Sequence, residues 1–323
     1  MVNATTDNAL DWSKVFLKGM SSFRWMNRYL KSLNISELDV KISLEQDIAK
    51  NKDEIFIIAY YNNAPMGIIR ASEYWLTKAH IIPSHYPLVL PKVQRKGIGE
   101  LLVKEIIKQT QIKGDNAIWA ETWSRDKREL QIYQSFYEKI NFNLQSNRSE
   151  MSILLENYNQ SNASKSKFEI ISKSKITNDF VLTLSKSYSK SLDKLHVLEE
   201  LGKKKICRDY LEKISRTFHK LGFILNYQVV KIENKLCAAL MTATSSSRGI
   251  IMEVGVVPSY RKMGIGKRLV TGYLDYLKNQ EIPEAVLAVD LNNTPAIDLY
   301  QKFGFEHNWF GKMFLMKITA DSK

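Results

Sequence analysis

The chain has 323 residues, 44% hydrophobic and 25% charged, with 47 Lys+Arg against 34 Asp+Glu and a net charge of +13. That length predicts two domains, and the apolar content excludes a disordered chain. No run approaches the roughly 20 apolar residues of a membrane span. MVNATTDNALDW lacks the basic start and apolar core of a secretory signal, and Cys207 and Cys237 have neither metal-ligand spacing nor a disulfide framework. We expect reduced thiols, no metal, no membrane contact and a cytoplasmic protein.

In chain order, apolar spacing predicts helices over roughly 11–33 and 44–51 and places no first strand. IFIIAYYNNAPMGIIRA (55–71) predicts two strands about an Asn turn. A run ending at Pro91 leads six residues later to Gly97 and Gly99, and LLVKEIIKQTQ (101–111) then carries helical spacing. AIWAE (117–121) predicts a strand, IYQSFYEKINF (132–142) a helix and MSILLE (151–156) a closing strand. NYNQSNASKSK (157–167) has no aliphatic anchor and predicts a linker.

The second half repeats the series. FEIIS (168–172) and helices near 178–191 and 196–220 precede a hairpin, VVKIENKLCAALMTA (229–243). Pro258 then leads to Gly264 and Gly266, a helix RLVTGYLDYLK (268–278), a strand AVLAV (285–289), a helix AIDLYQKFGF (296–305) and a strand MFLMKI (313–318). A repeat of about 165 residues implies a duplicated α/β unit, with domains at 1–158 and 166–323.

Residues 161–323 hold most of the basic excess, 26 Lys+Arg against 16 Asp+Glu. Much of it lies in SKSYSKSLDKLHVLEELGKKK (185–205), where Glu199 and Glu200 interrupt the lysines and no aromatic ladder offers base stacking. This predicts a solvated helical face rather than a nucleic-acid surface.

A Gly-X-Gly between strand and helix lets the backbone approach a ligand while the first helical N–H groups and the helix dipole face it, which suits phosphate. Arg261, Lys262, Lys267 and Arg268 add attraction in the second copy, and Arg95 and Lys96 in the first. No GKS or GKT follows either turn, and Leu269 stands where a dinucleotide loop needs its third glycine.

The residues resemble the GCN5-related N-acetyltransferases, the GNAT superfamily. The family's acetyl-CoA loop, Arg/Gln-X-X-Gly-X-Gly/Ala, is matched by Arg261-Lys262-Met263-Gly264-Ile265-Gly266 and by Gln94-Arg95-Lys96-Gly97-Ile98-Gly99, with Leu90 in the place of Val257. NTPAIDLYQKFGF (293–305) resembles its Asn-X-X-Ala-X-X-Leu-Tyr-X-X-X-Gly-Phe signature.

That resemblance implies two tandem domains, each a mixed, mostly antiparallel sheet flanked by helices. It further implies acetyl transfer from acetyl-CoA to a primary amine by direct attack. Backbone N–H groups from Lys262 through Gly266, with Lys267, would cradle pyrophosphate. Main-chain groups of Val256 and Val257 would pair with the pantetheine arm at a splayed strand edge. Asn293 would cap its helix and touch the arm, and Tyr300 would be the general acid. Glu253 would be the base, with Asp290 the other carboxylate in range.

Some protein N-terminal acetyltransferases place a Glu where this chain has Ala288, so their specificity does not carry over. In the first copy Tyr137 and Phe142 match Tyr300 and Phe305. Ile140-Asn141 replaces Phe303-Gly304, extra residues lie within WSRDKRELQ (123–131), and no Asn stands at the capping site. Acetyl-CoA binding without catalysis is the expectation for that half. Activity in both halves, an acetyl-CoA sensor without turnover and a basic nucleic-acid protein stay as alternatives, and the amine acceptor is open.

Overall fold

The computed structural model describes residues 41–44, 54–61, 64–74, 79–84, 86–159 and 168–318. The helices expected over 11–33 and 44–51 lie outside the described residues, apart from Leu44, which ends a strand. Two compact units are distinguished, one drawn from Met1–Tyr74, Lys78–Glu121 and Leu315–Lys323, the other from Trp75–Thr77 and Thr122–Phe314.

In the first unit, β1 (Lys41–Leu44), β2 (Glu54–Tyr61), β3 (Ala64–Glu73), β4 (His80–Ile82) and β6 (Ala117–Ser124) pair in that order, and β5 (Leu88–Val89) also pairs with β3. All pairs are antiparallel except β4 with β6. Helix α1 (Ile98–Ile112) buries Ile98, Leu102, Val103 and Ile106, one stripe at helical spacing, against β2 and β3.

The second unit contains α2 (Lys127–Lys139), β7 (Asn143–Leu154), β8 (Glu169–Lys173), α3 (Asn178–Tyr188), α4 (Lys194–Leu198) and α5 (Lys204–Lys220). There follow β9 (Ile224–Ile232), β10 (Lys235–Thr244), β11 (Gly249–Val256), α6 (Ile265–Asn279), β12 (Glu284–Asp290), α7 (Thr294–Gln301) and β13 (Glu306–Lys317). Its strand order is β13-β7-β12-β11-β10-β9-β8. By sequence repeat β7 closes the first copy, yet it pairs antiparallel with β12 from Glu284↔Leu154 to Asp290↔Arg148. Packing therefore divides the chain differently from the repeat.

Several boundaries differ from the sequence reading for physical reasons. Strand β7 begins at Asn143, not Met151, because its inward positions include small polar residues that find partners: Ser146 donates to Asp290 at 2.7 Å and Ser149 to the Trp309 carbonyl at 3.0 Å. Both are buried and neither is apolar, so this part of the strand carries no signal in a hydrophobicity pattern. The expected 196–220 helix is two helices, broken where Glu200 takes φ +53° ahead of α5. Within the expected linker, Tyr158 is buried and its hydroxyl donates to Asp275 on α6 at 2.8 Å.

The second sheet is covered on both faces. On β10, Ala238 and Leu240 face a core with Leu269, Leu274 and Leu277 of α6, while Ala239, Met241 and Ala243 face one with Phe180, Leu184 and Leu211 of α3 and α5. Truncating a buried leucine such as Leu274 to Ala costs about 2–5 kcal/mol. Gly255 permits the close approach of α3 to β11, since a Cβ there would lie 2.0 Å from Ser187 Oγ. That approach brings Tyr188 over the strand's carboxylate.

Candidate active site

The two turns are duplicated bond by bond. In the second copy Val257 N–H donates to the Cys237 carbonyl at 2.9 Å, Tyr260 N–H to Val257 at 2.9 Å and Arg268 N–H to Gly264 at 3.0 Å. In the first, Leu90 N–H donates to Met66 at 2.9 Å, Val93 N–H to Leu90 at 2.9 Å and Leu101 N–H to Gly97 at 3.0 Å. Gly264 and Gly97 cap α6 and α1 in the left-handed region, at φ 76° and 84°, and Lys262 and Arg95 precede them at φ 64° and 62°. Gln94 Nε2 donates to the Val89 carbonyl at 2.9 Å, as Arg261 Nε does to Val256 at 3.2 Å.

The loop's N–H groups suit a phosphate. Among the described residues, none from Lys262 to Lys267 donates to a protein acceptor, and an added Cβ at Gly264 would meet nothing within 4 Å. A row of unpaired donors with free space before it, at the positive end of a 15-residue helix, attracts an anion. Lys262, Met263 and Lys267 are exposed, while Ile265 is buried and anchors the turn. Arg261 acts differently from expectation. Its Nη1 and Nη2 donate to the Lys190 and Ser187 carbonyls at 3.2 and 2.9 Å, so the side chain braces the loop against the end of α3.

Beside the loop the sheet opens. Strands β11 and β12 pair in parallel only from Gly249↔Ala285 to Ile251↔Leu287, although both run on to Val256 and Asp290. A bulge where Met252 falls between Glu253↔Met241 and Ile251↔Thr242 increases local twist at the parting. Backbone groups alternate along a strand, so with Val257 bonded toward β10, Val254 and Val256 present theirs to the open side. Val257 is thus excluded as a free donor, whereas the Val256 N–H stays available and its carbonyl holds Arg261.

Helix α7 flanks that opening. Asn293 stands at its N-cap, but its side chain makes no capping bond, so capping does not explain the residue. Tyr300 is buried near Phe305, with ring centroids 5.8 Å apart. Burial first, and the Glu253 charge second, push its phenol above the usual tyrosine range. Its first-copy counterpart Tyr137 is fully buried among Phe142 and Phe314 at 5.2 and 5.1 Å.

Glu253 is not a solvent-facing strand residue. It is buried, and the hydroxyls of Tyr188 and Tyr210 donate to its two oxygens. His196 Nε2 lies 3.7 Å from the same carboxylate, its ring 4.2 Å from that of Tyr188, and its Nδ1 3.1 Å from Ser191 Oγ. Burial, then the Glu253 charge, push the Tyr188 phenol well up, so it remains a donor. Sequence reading missed Tyr188, His196 and Tyr210. They lie on α3, α4 and α5, with no local motif linking them. Asp290 is a structural group, because it accepts from Ser146 Oγ at 2.7 Å, Asn292 N–H at 2.8 Å and Lys194 N–H at 3.1 Å.

The family model described as the acetyltransferase (GNAT) family matches residues 22–142 and 192–305, more than half the chain. The chain belongs to the GNAT acetyltransferase family. Its fold is similar to a tandem GNAT protein from the clavulanic acid biosynthesis pathway, with TM-score 0.60 and 12% identity over 83% of this chain and 84% of that one. A mycothiol acetyltransferase of Arthrobacter sp. (strain FB24) is 40% identical over 57 residues, 18% of each chain. N-alpha-acetyltransferase 50 of Danio rerio is 35% identical over 72 residues, 22% of this chain and 43% of that protein. The matched stretches thus span less than half the length of these curated relatives. No described helix is long and apolar enough to cross a membrane.

Proposed function

We propose that this GNAT protein is an acetyl-CoA-dependent N-acetyltransferase acting on a primary amine by direct attack, with the chemistry in the C-terminal half, residues 166–323. The observation that carries the reading is the row of unpaired N–H groups from Lys262 to Lys267 at the end of a strand that has parted from its neighbour. Acetyl-CoA supplies the acyl thioester. The loop holds its pyrophosphate, while the Val256 N–H and the uncommitted Asn293 amide hold its arm.

His196 takes the proton of the incoming ammonium, positioned by Glu253, whose two tyrosine partners keep it buried and aligned. The neutral amine then bonds to the acyl carbon, the carbon–sulfur bond breaks, and the Tyr300 hydroxyl gives its proton to the departing thiolate; the second proton that the nitrogen sheds on becoming an amide restores the Tyr300 hydroxyl, and His196 returns its own proton to solvent. A covalent acyl-cysteine route has little support, since burial pushes the Cys207 thiol up to about 12 and raises that of Cys237 as well.

The duplicated loop favours a second reading for the first copy: it binds acetyl-CoA without turnover, because Tyr137 is sealed among aromatic rings. Thiol release from acetyl-CoA with an amine library tests both. Gly264→Asp should abolish release and Gly97→Asp should leave most of it. No amine-dependent release, or equal losses from folded forms of the two variants, overturns the assignment.

A further inference from the structure

A cavity of about 300 Å³ lies in the second unit among α2, β7, β13 and the turn after β12, and none of the loop or Glu253 cluster residues lines it. Its size is at the lower end for small-ligand pockets, about 300–1,000 Å³. No Asp or Glu lines it, yet three cationic residues do: Lys127, Arg148 and Lys312.

Their charges are compensated unequally. Arg148 Nη1 donates to both Asp193 oxygens, at 3.1 and 3.0 Å, so this guanidinium forms wall rather than bait. Lys127 has no carboxylate partner among the described residues, and its ammonium sits 5.5 Å from the centre of the Phe310 ring. Lys312 donates to the neutral Gln134 amide. Two ammonium groups without counter-ions thus share a concave space whose other surfaces include Phe310, Leu130 and Leu291.

We propose that this cavity binds a small organic anion, a phosphate or carboxylate carried on a flat apolar body. The anion lies between Lys127 and Lys312, and the body packs on Phe310. Charge-assisted bonds to two ammonium groups favour the anionic end, and burial against a ring and two leucines favours the rest. The site is independent of the acetyltransferase assignment and uses none of its residues.

Titration calorimetry on the full chain tests it, with phenyl phosphate as probe and inorganic phosphate and benzyl alcohol as its separate halves. Phenyl phosphate should bind at least about tenfold more tightly than either half, because each contributes. Lys127→Gln/Lys312→Gln should weaken it by about tenfold or more, and Gly97→Asp/Gly264→Asp should leave it within about twofold, separating the cavity from the two loops. If the double lysine variant melts early, Lys127→Gln alone at its exposed position serves, with a loss of about threefold or more. Absence of phenyl phosphate binding, equal binding of either half, insensitivity to the lysine changes, or loss in the glycine variant overturns the proposal.

Discussion

Arg261 Nε donates to the Val256 carbonyl at 3.2 Å, fastening the turn to the strand that leads into it. Gln94 makes the same bond to Val89 in the first copy with a neutral amide, so that bond does not require the charge. Arg261→Gln should therefore keep the turn and lose only the two bonds to Ser187 and Lys190, costing about 1–2 kcal/mol. Arg261→Ala loses all three and should raise the acetyl-CoA dissociation constant about tenfold relative to the Gln variant. Paired calorimetry and thermal melts check this, and equal affinities for the two variants would reject a role for the strand bond in shaping the loop.

Tyr300→Phe retains the ring beside Phe305 and removes the proton. We expect kcat to fall by roughly 10²–10⁴ with little change in acetyl-CoA affinity, since proton donation serves only the transition state. Burial and Glu253 hold the phenol above its ordinary range, so the wild-type rate should show no alkaline loss from Tyr300 below its ordinary pKa of 10.0. A folded Phe variant with wild-type kcat, where chemistry limits the rate, removes the residue from the mechanism.

Glu253 and His196 separate by what each leaves behind. His196→Ala removes a ring that keeps some solvent exposure and should lower kcat by about 10²-fold while the fold persists. Glu253→Gln keeps the shape but gives the buried cluster an amide between two tyrosine donors, so it should lose stability by about 1–3 kcal/mol as well as rate. Steady-state kinetics beside denaturant melts distinguish them. A His196→Ala enzyme at full rate shows that the proton leaves by another path.

Stability should fall with rising pH through Glu199. Burial raises its carboxyl from 4.5 to about 7, and its Oε2 has no partner among the described residues. Between those values the folded state binds more protons than the unfolded state, so the contribution present below pH 4.5 is lost as pH rises through about 7. Glu199→Gln should gain up to about 3 kcal/mol over wild type at pH 8 and almost nothing at pH 4. Melting curves at the two pH values give the answer, and a pH-independent difference would contradict it.

The sequence by itself determined the duplication, the two glycine turns and the family, because those depend on local chemistry. A left-handed cap needs Gly264 or Gly97, and an apolar stripe at helical spacing announces α1 and α6. What only the tertiary structure decided depends on residues distant in sequence. Glu253 became a buried acceptor because Gly255 admits α3, which carries Tyr188, while α5, a separate helix, carries Tyr210. Strand β7 lies between β12 and β13, where Ser146 donates to Asp290 of β12 and Ser149 to the Trp309 carbonyl of β13, and its pairing with β12 joins residues 130 to 142 apart in sequence, which no local pattern encodes. Periodicity and turn chemistry are properties of a short window, whereas burial, charge partners and strand neighbours are set by packing.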